Sequence, residues 1–402
     1  KERAMGFWAG RVLGVSAAAL AVASCQSSDL ADVPVLGALA PSESAVDALN
    51  RYYEDFPVDT LPVAPAGASM PSSDATLTRI LVGSCNDEEQ ASPALSRIAE
   101  EDADLFLMIG DNVYGDRDGR AYSNNQPELD ELRESFADLA ARPEFQDVRA
   151  KHPMMVAWDD HDYGVNDGGR DFAFKGLAEK VHERFWGLDN QDVGAWPGTY
   201  YARTFGEDGQ RTQIIVLDTR FFRSSLTPTD EWGATGKERY IPATGPDSMQ
   251  DMLGAAQWTW LENQLAEPAD LRLIVSSIQV LPDAHGWESW DKLPAERARL
   301  YEKITLSGAE GVVFVSGDRH NAFLYSSADV LPYPVSEITA SSLNLSFSDT
   351  TDEVDAAQIG AGYSKENFGS INIDWDAGAV TLAIHDLDGN AVRETRVPFR
   401  RP

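Results

Sequence analysis

Three stretches decide how this chain reads: Leu105–Tyr114 (LFLMIGDNVY), Met154–Asp162 (MMVAWDDHD) and Val312–His320 (VVFVSGDRH). Each opens as a short apolar run bounded by glycine or charge, which is the pattern of a buried strand. Each closes on carboxylates accompanied by a histidine or a tyrosine. Ligands in α/β sheets collect at the carboxyl ends of the strands, so three such ends aim acidic, metal-seeking groups at one crevice. A fourth run, Ile80–Cys85 (ILVGSC), puts a thiol in the equivalent position.

The rest of the chain extends this pattern. Strand-like runs at Ile80–Cys85, Leu105–Ile109, Met154–Trp158, Ile214–Asp218, Leu271–Val280 and Val312–Ser316 alternate with helix-like segments, which predicts a layered α/β domain. Leu129, Leu132, Phe136 and Leu139 recur at helical spacing, as do Phe174, Leu177, Val181 and Phe185, so both segments read as helices covering a sheet. Near the end, Ser370–Trp375 and Ala379–His385 alternate around Asp376-Ala377-Gly378, and a further turn falls at Asp388-Gly389. These signals predict a mixed sheet, parallel in its middle and antiparallel at its end. Polar loops at Asp116–Pro127, Asn166–Asp171, Ser224–Ser248 and Ser346–Gly362 frame the crevice.

The 402 residues are 43% hydrophobic, enough for a substantial core, and the net charge of −32 repels nucleic acid and anionic membrane. Lys1, Arg3 and Arg11 precede the apolar stretch Val12–Val22 and then Ala23-Ser24-Cys25. Residues 1–25 read as a secretory signal whose Val22-Ala23-Ser24-Cys25 resembles a lipobox, with Cys25 as the lipidated residue; an ordinary cleaved signal ending near Ala23 is the simpler alternative. The expected location is extracytoplasmic, periplasmic or anchored at the outer membrane, with the membrane engaged only through the lipid. Residues 26–75 read as a tether with one docking helix, and 76–402 as the catalytic domain. With Cys25 lipidated, Cys85 has no disulfide partner.

Asp111 and Tyr114 follow a buried strand and offer hard oxygen donors to one ion. Asp159, Asp160 and Asp162 surround His161, and carboxylates this close raise one another's pKa unless a cation neutralises them. His161 then serves as a general acid or charge stabiliser. Asp318 and His320 sit two apart after a strand of period two, so both point to the same side and can share a metal, while Arg319 points away unless the strand has already ended. His152, His182 and His385 read as structural, with His182 off the apolar face of its helix. His285, in a loop with Trp287, Trp290 and Asp291, reads as a rim residue.

Taken together, Gly83-Ser84-Cys85, Gly110-Asp111-Asn112-Val113-Tyr114, Trp158-Asp159-Asp160-His161-Asp162, Leu217-Asp218-Thr219-Arg220 and Ser316-Gly317-Asp318-Arg319-His320 resemble the calcineurin-like metallophosphoesterase superfamily, and within it the alkaline phosphatase D (PhoD-like) branch. The resemblance implies a four-layer αββα sandwich of two mixed sheets meeting at a bimetal site. It implies Cys85, Asp111, Tyr114, Asp160, Asp318 and His320 as metal ligands, Asp111 as the bridge, Asn166 as a further oxygen ligand, and iron(III) with calcium as the metals. His161 takes the place of the superfamily's catalytic histidine.

On this reading a metal-bound hydroxide attacks a small phosphate ester, with Arg220 clamping the phosphoryl group. No nucleic acid or obligate protein partner is expected. Two alternatives stay open: a phosphodiesterase of phospholipase type, with Phe221, Phe222, Trp287 and Trp290 lining an apolar slot, or a phosphate-binding lipoprotein without catalysis.

Overall fold

The computed structural model describes residues 44–118, 121–122, 126–229, 239–245, 250–347 and 354–399. The chain divides into two units, Lys1–Ala48 and Leu49–Pro402, and the second carries both large sheets and every candidate site residue except Cys25. Cys25 and the signal-like stretch lie outside the described residues. Among the described residues no helix is long and apolar enough to cross a membrane.

Two six-stranded mixed sheets form the centre. The strands are β1 (Arg79–Gly83), β2 (Leu105–Ile109), β3 (Met154–Ala157), β4 (Tyr201–Phe205), β5 (Thr212–Val216), β6 (Leu271–Val275), β7 (Val312–Ser316), β8 (Ala322–Ser327), β9 (Val335–Ala340), β10 (Phe368–Asp374), β11 (Ala379–His385) and β12 (Ala391–Pro398). The first sheet runs β12-β11-β10-β1-β2-β3, with β1, β2 and β3 parallel and the remaining pairs antiparallel. The second runs β8-β9-β7-β6-β5-β4, with β9, β7, β6 and β5 parallel. The apolar run read as one strand from Leu271 to Val280 breaks at Val275. Its remainder leaves the sheet as a buried loop, with Ser276 donating from its hydroxyl to the Ile278 carbonyl at 2.7 Å.

Alternation along the strands builds the layers. In the second sheet Val216, Leu273, Val275, Val315 and Ile338 join the core shared with the first sheet, whereas Ile215, Ile274 and Phe314 pack with Trp258, Leu261, Leu300 and Ile304. Those four partners lie on α7 (Gly254–Ala266) and α8 (Pro294–Ser307). The first sheet is covered by α2 (Pro93–Glu100), α3 (Asp130–Ala141), α4 (Pro143–Lys151) and α6 (Lys175–Trp186), which bury Leu95, Leu132, Phe136, Phe145, Val181 and Phe185. Helices, sheet, sheet and helices make the four-layer αββα sandwich. The helices expected over Leu129–Leu139 and Phe174–Phe185 are α3 and α6.

The segment read as a tether lies against the domain instead. Tyr53, on α1 (Ala45–Glu54), donates to the Pro127 carbonyl at 2.7 Å. Farther on, the N–H groups of Ala64 and Ala68 bond the carbonyls of Phe185 and Arg149 at 2.9 and 2.7 Å. The compact unit therefore starts at Leu49 rather than at residue 76.

The two sheets touch closely where their strands end. A Cβ on Gly317, just past β7, would lie 2.8 Å from the Ser84 Cβ and 3.2 Å from the Ile109 carbonyl oxygen, so only glycine lets the second sheet approach the first there. Hydrogen bonds complete the joint: Leu343 N–H to the Ser84 carbonyl at 2.9 Å, and Ser84 hydroxyl to the Ala340 carbonyl at 3.2 Å.

His182 is structural, but not because it avoids the apolar face of its helix. It is fully buried against Phe136, Trp158 and Trp186, and neither ring nitrogen has a hydrogen-bond partner. Burial pushes its pKa from 6.5 down to about 3. Between those values the unfolded chain binds a proton that the folded one refuses, so stability falls as pH drops through that window by about 1.4 kcal/mol per pH unit. His182→Phe is expected to raise the unfolding midpoint more at about pH 4.5 than at pH 8, read by thermal denaturation at both; an equal shift at the two would show that the imidazole does not titrate in this way.

Candidate metal centre and active site

Every ligand predicted from the strand ends lies just past the carboxyl end of a parallel strand. Cys85 follows β1, Asp111 follows β2, Asp159 and Asp160 follow β3, and Asp318 and His320 follow β7. Four of these residues have left-handed backbone: Cys85 at φ 58°, Asp111 at 47°, Asp318 at 65° and His320 at 53°. For a residue with a Cβ that conformation costs roughly 1–3 kcal/mol, and its clustering here marks a site where the surroundings impose it. It also corrects the expectation for Asp318 and His320. The strand has ended at Ser316, and the turn, not period-two alternation, brings both side chains inward.

Cys85 Sγ lies 3.3 Å from Asp111 Oδ2 and 3.0 Å from the Ser341 hydroxyl. The Tyr114 hydroxyl is 3.4 Å from Asp111 Oδ2 and 3.5 Å from His320 Nε2. His320 Nδ1 is 2.7 Å from the Leu345 carbonyl, which fixes its proton there and leaves the Nε2 lone pair facing the site. Three groups whose ligand atoms lie within 4.8 Å of one another all include Asp111: Cys85 with His320, Asp160 with His161, and Asp159 with Asp160 and Asp318. Asp111 is thus placed to bridge two adjacent positions.

Electrostatics show what the site lacks. Burial, then Cys85 and the carboxylates of Asp160, Asp159 and Asp318, drive the Asp111 carboxyl well above its ordinary range. Asp111 Oδ1 is buried without a hydrogen-bond partner. Burial also pushes the Cys85 thiol up to about 11, against the hydrogen bond from Ser341. An orphaned oxygen amid crowded carboxylates, a thiol, a phenol and a free imidazole nitrogen is a donor set that fits cations.

Around the ligands runs a layer that holds them. Asp159 and Asp162 form a capping box at α5 (Asp160–Tyr163), and Asp162 also accepts the Asn112 N–H at 2.9 Å. His161 Nδ1 is 2.6 Å from Asp116, and its ring lies 4.2 Å from that of Tyr114. Burial lowers the His161 pKa, but the charges of Asp160 and Asp116 outweigh it and hold the imidazole above its ordinary value. Asp160 stays below the ordinary carboxylate range; burial opposes this, and His161, Arg220 and the Asp167 N–H prevail.

Arg220 is not placed as a phosphate clamp. It is fully buried, its Nε donates to Asp159 at 2.5 Å, and its Nη1 pairs with Glu288 at 2.5 Å. Glu288 is also 2.7 Å from Arg223, whose Nη2 donates to the carbonyls of Asp167 and Gly168 at 2.5 and 2.6 Å. Arg220 therefore positions the acidic ligands. Asn166 lies half-buried in the turn after α5, and it is the next residue, Asp167, whose carboxylate groups with Asp160 and Glu288.

His285 is not a rim residue, and Trp290 is fully buried rather than exposed in its loop. His285 is buried against Gln279 at 2.9 Å, and Trp290, fully buried, donates to Ser276 at 2.9 Å. In the polar loop expected over Ser346–Gly362, Phe347 stacks on His320 at 4.0 Å, and residues 348–353 lie outside the described residues. Sequence reasoning missed Asp116 and Glu288 as site residues. Both sit in loops with no local pattern, and only the fold brings them to His161 and Arg220.

Comparison with known proteins agrees with this arrangement. The family described as PhoD-like phosphatase matches residues 80–170 and 198–384. Alkaline phosphatase D of Bacillus subtilis (strain 168) is 24% identical over 318 residues, 70% of this chain and 52% of that protein, so the chain spans about half the length of this relative. The solved structure of PhoD superposes with a TM-score of 0.60 at 16% identity, covering 85% of this chain and 74% of that one. A purple acid phosphatase from yellow lupin (Lupinus luteus) seeds gives 0.52 at 11% identity, covering 83% and 55%. These two structural likenesses support the fold alone. With the family match spanning more than half of its length, and with the motifs of that match forming the buried centre described above, this chain belongs to the PhoD-like phosphatase family.

Proposed function

We propose that this protein is an extracytoplasmic, metal-dependent phosphatase that hydrolyses small phosphate esters and is tethered to a membrane by a lipid on Cys25. The observation that carries the enzymatic reading is the convergence of three ligand groups on Asp111, whose second oxygen is buried and unpartnered. Cys85, Asp111, Tyr114 and His320 form a mixed sulfur, oxygen and nitrogen set suited to iron(III). Asp111, Asp159, Asp160 and Asp318 form an all-carboxylate set suited to calcium. When bound, such cations screen the carboxylates, polarise phosphoryl oxygens and acidify water.

The chain's own residues do the rest. Asp116 holds the His161 proton at Nδ1 and turns Nε2 toward the substrate side, where the charged imidazole donates a proton to the departing alkoxide. Arg220, locked between Asp159 and Glu288, keeps the acidic ligands in register. The diesterase reading loses one of its supports, because the buried Trp290 lines no apolar slot.

Asp111→Ala is expected to strip the protein of metal and abolish turnover together, with metal measured by plasma mass spectrometry on protein purified without chelator; an active, metal-free variant would refute the assignment. His161→Asn should lower kcat by roughly 10²–10⁴ on an alkyl phosphate, as expected for loss of a general acid, and far less on p-nitrophenyl phosphate, whose leaving group is already a stable anion. Equal losses on both would remove His161 from proton transfer. Arg220→Met should destabilise the fold by about 3–5 kcal/mol, because it leaves buried carboxylates unpaired. If it instead raised KM with unchanged stability, Arg220 would be a substrate clamp after all.

A further inference from the structure

With Arg220 committed to Asp159 and Glu288, Arg117 is another arginine beside the candidate ligands. Its guanidinium carbon lies 4.0 Å from the centre of the Tyr114 ring, the ring that also contacts His161. Its Nε and Nη2 are shielded from solvent and have no hydrogen-bond partner, and Arg117 makes no ion pair among the described residues. Unsatisfied buried guanidinium donors are costly, so a group that accepts from them is gained at a favourable free energy.

The neighbouring carboxylates do not fill that role. Asp87, Glu88 and Glu89 line a small cavity together with Tyr114 and Arg117, and none of them accepts from the Arg117 Nε or Nη2. Asp87 accepts from the Glu89 N–H and the Gln90 amide, and Glu88 accepts the Tyr114 N–H at 2.8 Å. Arg117 itself stacks on the candidate ligand Tyr114. Its neighbour Asp116 orients His161, so one short segment both sets the general acid and carries the cation.

We propose that Arg117 is the phosphoryl-binding arginine of this site and that it favours phosphate monoesters over diesters. A monoester presents three terminal oxygens and nearly two negative charges, whereas a diester presents two and one. A planar guanidinium fork matches a pair of terminal oxygens and gains more from the doubly charged group. The inference rests on the phosphatase reading above.

The test compares wild type with Arg117→Gln, which keeps a stem over Tyr114, and with Arg117→Lys, which keeps charge without the fork. Binding of inorganic phosphate is measured by calorimetry, metal content by plasma mass spectrometry, and turnover on p-nitrophenyl and bis-p-nitrophenyl phosphate. The expected result is full metal content in both variants, phosphate binding weakened roughly ten- to hundredfold in the Gln variant and less in the Lys variant, and a larger loss on the monoester than on the diester. Phosphate binding within about twofold of wild type in a metal-replete Gln variant would overturn the proposal, since a charged hydrogen bond is worth more than that. Loss of metal in both variants would also overturn it, since Arg117 would then support Tyr114 and not the substrate. A metal-replete wild type that neither binds phosphate nor cleaves either ester would remove the phosphatase reading itself.

Discussion

Mutual repulsion among buried carboxylates is the constraint on which the rest of this structure depends. Asp111, Asp159, Asp160 and Asp318 bring their oxygens within 4.8 Å of one another, with the first three buried and Asp318 partly so. In water such neighbours would cost little; in a dry interior their repulsion and desolvation each amount to kilocalories. The protein offsets part of this with its own groups: Arg220 on Asp159, and His161 beside Asp160, whose imidazole the charges of Asp160 and Asp116 hold above its ordinary pKa. What protein charge leaves over falls on Asp111, whose carboxyl is driven far from its ordinary behaviour, and that residue is common to the three ligand groups at the strand ends.

The two sheets exist in their present relation to make that crowding possible. Parallel strands β1, β2 and β3 of one sheet and β7 of the other all end toward the same seam, and each continues through a turn carrying a ligand. Left-handed backbone at four ligand positions stores strain that a packed surround must hold. The surround includes a chain of hydroxyls across the seam, in which Thr219 and Ser277 lie 2.6 Å apart and Ser277 donates to Asp159 at 2.7 Å. Gly110, at φ 102°, has room for no side chain, because a Cβ would lie 2.6 Å from that of Asp159. Closeness of the sheets, strain in the turns and crowding of charge are therefore one feature seen at three levels.

Much of this was legible in the sequence, for a local reason. A buried strand followed directly by a candidate ligand is a contiguous pattern, and Cys85, Asp111, Tyr114, Asp160, His161, Asp318 and His320, which the fold brings together, all belong to such patterns. Glu288 and Asp116 were not legible, since each meets its partner only after intervening helical and strand segments have folded, and no spacing rule connects Glu288 to Arg220 or Asp116 to His161. Arg220 was visible as a residue but misread in role, because a sequence shows a cation and not the two carboxylates that occupy it. Strand length misled twice: period two was carried past Ser316 to Asp318 and His320, and the strand-like run was carried past Val275 to Val280, where polar Ser276 and Ser277 already mark the exit from the sheet. The domain start was placed too late because Pro-, Ala- and Ser-rich sequence reads as a tether, although its backbone N–H groups bond the domain at Phe185 and Arg149.

The most direct test of the account is anomalous X-ray scattering at the iron edge, from crystals of protein purified without chelator and analysed for its elements. If iron and calcium are the resident cations, the account predicts iron scattering among Cys85, Tyr114 and His320, and calcium among the carboxylates of Asp111, Asp159, Asp160 and Asp318. An absence of metal there, or a single ion that leaves Asp111 Oδ1 without a partner, would contradict it.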